Sequence, residues 1–297
     1  MLTPGKYTGL MMLCLLPLAQ AQTDFSEVKI TMVKLSGSVS MLTGAGGNIG
    51  VSAGADGVFI IDDQFAPLSD KILAAIGEIS EQPLRFVINT HWHGDHTGGN
   101  EPMAAAGSVV VAHDNVRKRM SSEQFMAHFQ RSVEAAIPQA LPVVTFSDQL
   151  SLHLNGESVT AYHQPHAHTD GDSIVHWPDS NVLHMGDTFF SGTYPFIDLS
   201  NGGSIDGMIA AVARGLELAD DDTAIIPGHG PLADRADMLA YHDMLVAVRR
   251  KVAYAKAEGM SLDEAIANKI TSALDAQWGQ GFIQPADIIT FVWQSLD

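Results

Sequence analysis

The residues best suited to chemistry form one hexapeptide, His91-Trp92-His93-Gly94-Asp95-His96. Three imidazoles and a carboxylate within six positions are the ligand types that a divalent transition-metal ion prefers. In an extended segment His91 and His93 point the same way, so they can bind one ion. A turn at the following glycine lets Asp95 and His96 face a second ion about 3.5–4 Å from the first. The spacing therefore predicts a site for two metal ions.

Three later stretches also carry residues that can bind a metal at the end of an apolar, strand-like run. The first contains His163, His166 and His168, and spacing alone does not choose among them. Asp187 follows the second run, and His229 follows the third between two glycines. A single histidine at a strand end is more often structural, but four strand ends that all offer ligands favour one shared site.

Strand-like and helix-like segments alternate along the chain and would position these strand ends. Two successive halves, each rich in strands and then in helices, predict two sheets packed face to face with helices outside, an α/β fold built as a four-layer α/β/β/α sandwich with two pseudo-symmetric halves. The second half is expected to begin with a strand at Val143–Phe146. Asp114–Ala140 is predicted to be a mostly helical insertion near the site, and helices are expected over most of Leu232–Asp297.

The first 21 residues differ from the rest of the chain. Lys6 is the only charged side chain in Met1–Ala21, Gly9–Ala19 is nearly all apolar, and Ala19-Gln20-Ala21 has the small-x-small pattern of a signal peptidase site. This pattern predicts a cleaved signal peptide over residues 1–21, a periplasmic or secreted protein, and one domain over residues 22–297. The single cysteine, Cys14, would be removed with it.

The charge balance narrows the range of partners. The net charge is −18, and removal of residues 1–21, which contain one lysine and no acid, gives −18 − 1 = −19. A surface this acidic repels nucleic acid and anionic membranes. Neither is therefore expected as a partner of the mature chain. A small-molecule substrate is expected, and the sequence gives no indication of the oligomeric state.

Taken in order, these ligand residues resemble the motifs of the metallo-β-lactamase superfamily of binuclear zinc metallohydrolases. The resemblance extends roughly from Val28 to Arg235 and implies two Zn²⁺ ions. It implies that the first ion is held by His91, His93 and His168, that the second is held by Asp95, His96 and His229, and that the two are bridged by Asp187.

Two assignments depend on finer points of the resemblance. His168 is preferred to His166 because His168-Thr169-x-Gly171-Asp172 resembles the His-Thr-x-Gly stretch of the family. Asp62 resembles an early aspartate of the family that supports the site without binding metal. The imidazole at His93, where iron-binding relatives usually carry glutamate, favours zinc. Asp62, Asp170 and Asp172 are candidates for fixing the tautomers of the ligand histidines.

The mechanism expected of such a site is hydrolysis by a metal-bridging hydroxide, with Asp95 as the catalytic residue that orients it and transfers its proton. The expected substrate is a cyclic ester or amide or a related carbonyl compound. A β-lactamase proper, a phosphodiesterase, a thioesterase and a non-catalytic zinc-binding accessory protein remain alternatives. The lactamase subclass with a cysteine ligand is excluded, since no cysteine remains after cleavage, and Asp187 stands where the all-histidine lactamases usually have serine.

The residues expected to contact substrate lie close to the metal ligands. They are Trp92, Thr188, Ser191 and Tyr194, with the loop Phe189–Ile205 and the insertion shaping the pocket. Gly186–Pro195 lacks the lysine that often binds a lactam carboxylate. Of the histidines that are not assigned as ligands, His113 at a strand end is the one most suited to a functional role.

Overall fold

The computed structural model describes residues 24–296, and two β-sheets stacked face to face form its centre. The first sheet contains β1 (Thr31–Lys34), β2 (Val39–Thr43), β3 (Ile49–Gly54), β4 (Gly57–Ile61), β5 (Leu84–Asn89), β6 (Val109–His113) and, after a hairpin of β7 (Gln124–Met126) and β8 (Arg131–Val133), β9 (Val144–Phe146). The second sheet contains β10 (Gln149–Leu154), β11 (Glu157–Gln164), β12 (Asp172–Trp177), β13 (Val182–His184) and β14 (Ala224–Ile226).

The order of the strands brings the predicted ligand segments to one edge. The first sheet runs β1-β2-β3-β4-β5-β6-β9, antiparallel up to β4 and parallel from β4 onward. The second sheet follows chain order, and its last pair, β13 and β14, is parallel. Since parallel strands end at the same edge of a sheet, the segments that follow β4 and β5, and likewise β13 and β14, lie side by side.

Helices cover the outer faces of both sheets. In chain order they are α1 (Ser69–Gly77), α2 (Gly94–Thr97), α3 (Asn100–Ala105), α4 (Asp114–Met120), α5 (Ile205–Leu218), α6 (Arg235–Ala257), α7 (Leu262–Ala267), α8 (Ser272–Trp278) and α9 (Pro285–Ser295). Helix α1 buries Ile72 and Ile76, which are four positions apart and so lie on one face. Helix α6 starts at a capping box in which Asp234 and Asp237 each bind the other's backbone N–H.

Alternation along the strands divides the core into layers. In β4, Phe59 and Ile61 pack against the second sheet, whereas Val58 and Ile60 pack against α1 and α3 on the other face. The outer face of the second sheet packs against α5, α6 and α9. The four-layer α/β/β/α sandwich predicted from the sequence is therefore confirmed.

Two predicted elements are wrong. The strand at Val144–Phe146 pairs with β6 and completes the first sheet, so it does not begin the second half. The insertion Asp114–Ala140 is helical only in α4 and in a short 3₁₀ turn, Pro138–Ala140, and the β7–β8 hairpin lies between them. Helix α4 ends at Met120, and the hydroxyl of the next residue, Ser121, donates to the Arg117 carbonyl at this helix end. The residues beyond it form the two strands of the hairpin.

The predicted signal peptide, residues 1–21, lies outside the described residues. Among residues 24–296, none of the helices has the length and apolar character needed to span a membrane.

Candidate metal centre

Side chains from four strand ends converge on two adjacent groups of metal-binding atoms. One group consists of His91, His93, His168 and Asp187, all buried, and the other of Asp95, His96 and His229. Within each group the atoms available for a metal lie within 4.8 Å of one another. All seven residues predicted as ligands are thus brought together by the fold. His166 lies outside both groups, exposed, with Nδ1 bonded to the Gly202 carbonyl.

The hexapeptide divides its ligands between the two groups as its spacing predicts. His91 lies in a bend after β5 and His93 in extended backbone, and both enter the same group, with ring centroids 4.8 Å apart. Helix α2 then starts at Gly94 and directs Asp95 and His96 into the other group. The turn itself needs no glycine, because Gly94 has no left-handed backbone and a Cβ there would meet nothing within 4 Å.

Asp187 lies between the two groups. Its Oδ2 is 3.5 Å from His168 Nε2 and 3.4 Å from His229 Nε2, and its Oδ1 is 3.1 Å from His96 Nε2. The carboxylate is only 5% exposed and follows β13 on a 3₁₀ turn. An aspartate in contact with histidines of both groups is placed to join them.

Hydrogen bonds fix which nitrogen of each buried histidine carries its proton. His93 Nε2 donates to Asp198 Oδ2 at 2.9 Å, and His168 Nδ1 donates to the Phe196 carbonyl at 2.8 Å, since carboxylate and carbonyl oxygens only accept. The nitrogens left without a proton, His93 Nδ1 and His168 Nε2, face each other at 2.9 Å. Two lone pairs at this distance repel, and a cation between them would remove that repulsion.

The remaining histidines fit the same arrangement. Thr90 Oγ1 donates to Asp62 and so accepts from His91 Nδ1, which leaves the buried His91 Nε2 without a hydrogen-bond partner. His96 Nδ1 donates to Asp62 Oδ2 at 2.8 Å, which directs its Nε2 toward Asp187. An unpartnered buried nitrogen is costly in an apo protein, and coordination would satisfy it. The donor set of imidazole nitrogens and carboxylate oxygens fits a divalent ion such as zinc.

Asp62 supports the centre from the end of β4, as the resemblance implied. It is fully buried in left-handed backbone (φ 65°) and accepts hydrogen bonds from the Thr90 N–H, the Thr90 hydroxyl and His96. A non-glycine residue in this conformation is strained, and such strain persists only where several contacts hold it. Asp62 therefore fixes the entry to the hexapeptide and the ring of His96 together.

Asp198 supports the other group and is a residue that no sequence pattern indicates. It is 1% exposed, and besides His93 it accepts hydrogen bonds from the Ser200 hydroxyl and the Asn201 side chain. Neither candidate, Asp170 or Asp172, bonds to the ring of a ligand histidine, although the Asp172 carboxylate interacts with the backbone N–H of His168. Asp170 pairs with Arg119, and Asp172 accepts from the backbone and hydroxyl of Thr169.

The electrostatic surroundings of the two groups differ. Burial lowers the pKa of His168 to about 4 and lowers the pKa of His91 well below its usual range, so both are neutral ligands at pH 7. Burial also lowers the pKa of His229, but the carboxylates of Asp187 and Asp95 outweigh it and raise that pKa to about 10. A field that raises the proton affinity of an imidazole also attracts a metal cation.

Close packing leaves no space between Asp187 and the loop that carries Gly228. A Cβ at Gly228 would overlap Asp187 Oδ1 and approach the Gly186 backbone. The loop that carries Gly228 and His229 is held by Asn48, whose side-chain amide donates to the carbonyls of Pro227 and Gly230, each at 2.9 Å. Backbone rather than side chains therefore sets the distance between the ends of β13 and β14.

A cavity of about 670 Å³ opens onto the centre beside the more exposed group. It exposes His93, Asp95, Asp187 and His229 to a bound molecule. Its wall is otherwise largely apolar and comes from the α2 region, the β7–β8 hairpin, the loop after Asp187 and the segment before α9: Phe65, Trp92, Met126, Phe129, Arg131, Val133, Phe190, Ser191, Thr193, Tyr194, Phe196, Phe282 and Ile283. The predicted roles of the insertion and the 189–205 loop in shaping the pocket agree with this wall.

The four predicted substrate contacts differ in position. Trp92, Ser191 and Tyr194 line the cavity, although the Tyr194 hydroxyl binds Asp275 at 2.9 Å. Thr188 does not, since it is fully buried and its hydroxyl donates to the Met185 carbonyl. His113 also lies apart, stacked on His163 with ring centroids 3.6 Å apart, so the suggestion that it functions in the site is wrong.

Comparison with known proteins agrees with the fold and the centre. Residues 42–230 match the family model described as "Metallo-beta-lactamase superfamily". A hydroxyacylglutathione hydrolase from Polaromonas sp. is 29% identical over 169 residues, 55% of each chain. The chain spans about half the length of this relative.

Two solved structures share the fold at low sequence identity. A metallo-β-lactamase from Pontibacter korlensis has a TM-score of 0.59 and 19% identity, covering 73% of this chain and 99% of its own. A sec-alkyl sulfatase, solved as a double mutant, has a TM-score of 0.67 and 15% identity, covering 89% of this chain and 50% of its own. With the matched segment containing all seven converging ligand residues, the chain belongs to the metallo-β-lactamase superfamily.

Proposed function

We propose that this chain is a zinc-dependent hydrolase with two metal ions that opens a cyclic ester or amide or a related carbonyl substrate. The observation that carries the proposal is the convergence of five histidines and two aspartates in two adjacent groups, at one end of a cavity large enough for a small molecule. His91, His93 and His168 would hold the first ion, Asp95, His96 and His229 would hold the second, and Asp187 would bind both.

The ions, when bound, acidify a coordinated water and stabilise the negative charge that develops on the substrate oxygen. The protein's own part is to orient and to transfer protons. Asp95 is 29% exposed at the floor of the cavity and lies 3.2 Å from His229 Nε2, so its free oxygen can accept the proton of the attacking water. The apolar wall excludes bulk water from the reacting bond.

Thioester hydrolysis is the second candidate, favoured by the similarity to a hydroxyacylglutathione hydrolase. Among residues 24–296, Arg131 is the one lysine or arginine that lines the cavity, and it offers few partners to the two carboxylates of glutathione, which supports the cyclic ester or amide as the first choice. We also propose that residues 1–21 are cleaved on export. An intact mass beginning at residue 22 would support this, and an uncleaved N-terminus on the exported protein would refute it.

Turnover of a substrate panel tests the function. The zinc-loaded protein would be assayed with a homoserine lactone, a chromogenic cephalosporin, an acyl thioester and a bis-aryl phosphodiester, each before chelation, after chelation and after return of zinc. We expect hydrolysis of the lactone or the cephalosporin that is lost on chelation and restored by zinc. No turnover of any of them with two zinc ions bound would contradict the enzyme assignment and favour a zinc-binding accessory role.

A further inference from the structure

The wall of the cavity carries more information about the substrate than the metal centre does. Two segments far apart in the sequence form its outer part, the β7–β8 hairpin and residues 282–283 before α9. Phe129 at the hairpin tip stacks on Phe282, with ring centroids 5.6 Å apart, and contacts Phe196 in the deeper wall at 5.0 Å. The two outer rings thus meet across the mouth of the cavity.

These outer rings are unusually exposed for their size. Phe282 is 73% exposed and Phe129 is 37% exposed, whereas Phe196 and Phe190 in the deeper wall are below 10%. Leaving large apolar side chains in water at the rim of a concave apolar surface forgoes the free energy of burying them. A ligand with an apolar body would bury its own apolar surface and that of the two exposed rings at the same time. The wall therefore favours a substrate that is more than a small polar molecule.

Arg131 adds a charge requirement. Of the described side chains that line the cavity, it is the only lysine or arginine, and it lies at the start of β8, opposite Met126 in the hairpin. Its guanidinium is exposed, and no hydrogen bond or ion pair to it is found among residues 24–296. On a chain of net charge −18 an unpaired cation beside the mouth is the feature that would attract an anionic group there.

We propose that the cavity binds an amphipathic anion, with its apolar body packed against the cluster of Phe129, Phe282 and Phe196 and its anionic group on Arg131. Phe129, Phe282 and Arg131 are then specificity-determining residues. The identification of this molecule as the substrate rests on the proposed function, whereas the binding itself does not. The chemical class is an ester or amide that carries both an apolar chain or ring and one acidic group.

A matched pair of fluorescent probes separates the two parts of the proposal. The zinc-loaded protein would be titrated with 8-anilinonaphthalene-1-sulfonate and with N-phenyl-1-naphthylamine, which has the same rings without the sulfonate. We expect Arg131→Gln to weaken binding of the sulfonate about 3- to 10-fold and leave the neutral probe unchanged, with Arg131→Lys restoring much of the loss. Phe129→Ser and Phe282→Ser should each weaken both probes about tenfold.

Control variants are available on the same surface. Phe125→Ser removes another exposed phenylalanine of the hairpin that does not line the cavity, and Arg250→Gln removes an exposed arginine of α6. Both should bind the probes as the wild type does. If the wild type binds neither probe, or if each test variant behaves like its control, the proposal is overturned. Loss with Phe129→Ser and Phe282→Ser, but not with Arg131→Gln, overturns the role of Arg131. Melting curves and zinc content would show that the variants are folded.

The same variants distinguish this inference from the proposed function. If no ester or amide is hydrolysed but the probes respond as expected, the proposed function fails and the binding site stands. If a lactone series is hydrolysed but KM does not fall as the acyl chain lengthens, and the probes do not respond to the substitutions, only the binding site is refuted.

Discussion

The two groups of metal-binding residues face different surroundings although Asp187 contacts histidines of both. His91, His93 and His168 are 0–5% exposed, and each donates its second ring nitrogen to a fixed partner: Thr90, Asp198 or the Phe196 carbonyl. In the other group Asp95 and His229 are 29% and 34% exposed and border the cavity. Because catalytic metal sites keep an open position, we expect the closed first group to anchor a metal ion and the open second group to face the substrate.

The largest effect should come from the residue common to both groups. Asp187→Ala removes a carboxylate that lies 3.1–3.5 Å from three of the histidines. We therefore expect activity to fall on the order of 10³-fold and the ion held by Asp95, His96 and His229 to be lost. Elemental analysis gives the stoichiometry and steady-state kinetics the rate. Asp221→Ala, at a 97% exposed position, serves as the control. Two ions still bound to Asp187→Ala would refute the bridging role.

A backbone change tests whether the position of Asp187 matters as much as its charge. Gly228→Ala places a Cβ against Asp187 Oδ1, so we expect activity to fall about 10²-fold from displacement of the carboxylate and stability to fall by about 1–3 kcal/mol. Gly77→Ala in α1, where a Cβ meets nothing within 4 Å, should keep full activity. Denaturant melts and the same kinetic assay provide the measurements. A fully active Gly228→Ala would show that the loop that carries Gly228 can move away without displacing Asp187.

The supporting aspartates should each weaken one group more than the other. Asp198→Asn loosens His93 and should lower the affinity for an ion held by the first group about 10- to 100-fold. Asp62→Asn loosens His96 directly and His91 only through Thr90, so it should lower the affinity for an ion held by the second group by a similar factor and affect the first group less. Competition with a chromophoric chelator measures both ions. If either substitution weakens both ions equally, the two groups are a single unit and the distinction between them fails.

The smallest effect concerns histidines outside both groups. Burial lowers the pKa of His113 and of His163, and the charge of His163 further lowers that of His113, while Asp114 and Asp170 oppose the shift. Because the unfolded chain then binds protons first, the stability from this pair is present above about pH 6.5 and is lost as the pH falls below it. His113→Gln should make the loss of stability between pH 7 and 5 shallower, as measured by urea unfolding. An unchanged slope would refute the contribution.

The ligands were predictable because each follows a pattern in the local sequence. A short apolar run followed by histidine or aspartate indicates both a buried strand and a ligand residue at its end, and four such strand ends can be found without knowing how the sheets pair. Asp62 follows the same rule at the end of β4. The choice of His168 over His166 needed the resemblance, and the structure supports it, since His166 is exposed.

The rest was not predictable because it depends on contacts between distant segments. Asp198 lies in an irregular loop and reaches His93 across 105 positions, and no periodic pattern indicates such a contact. Residues 124–133 are predicted as helix but form a hairpin, in which Met126, Phe129 and Val133 line the cavity and Phe129 packs on Phe282, a residue that only the folded chain brings near. Thr188 looked available beside Asp187, but one turn of 3₁₀ helix points its hydroxyl inward.

The path of the chain between β6 and β9 has a consequence for how the wall of the cavity could change in related sequences. The segment leaves the first sheet at His113, forms α4 and the hairpin, and returns to pair with the same strand it left. It is thus an insertion whose two ends are fixed by neighbouring strands of one sheet. The residues of the metal centre come from other parts of the chain. Replacing this insertion with one of another length or composition would give a new preference for substrate on an unchanged reactive centre.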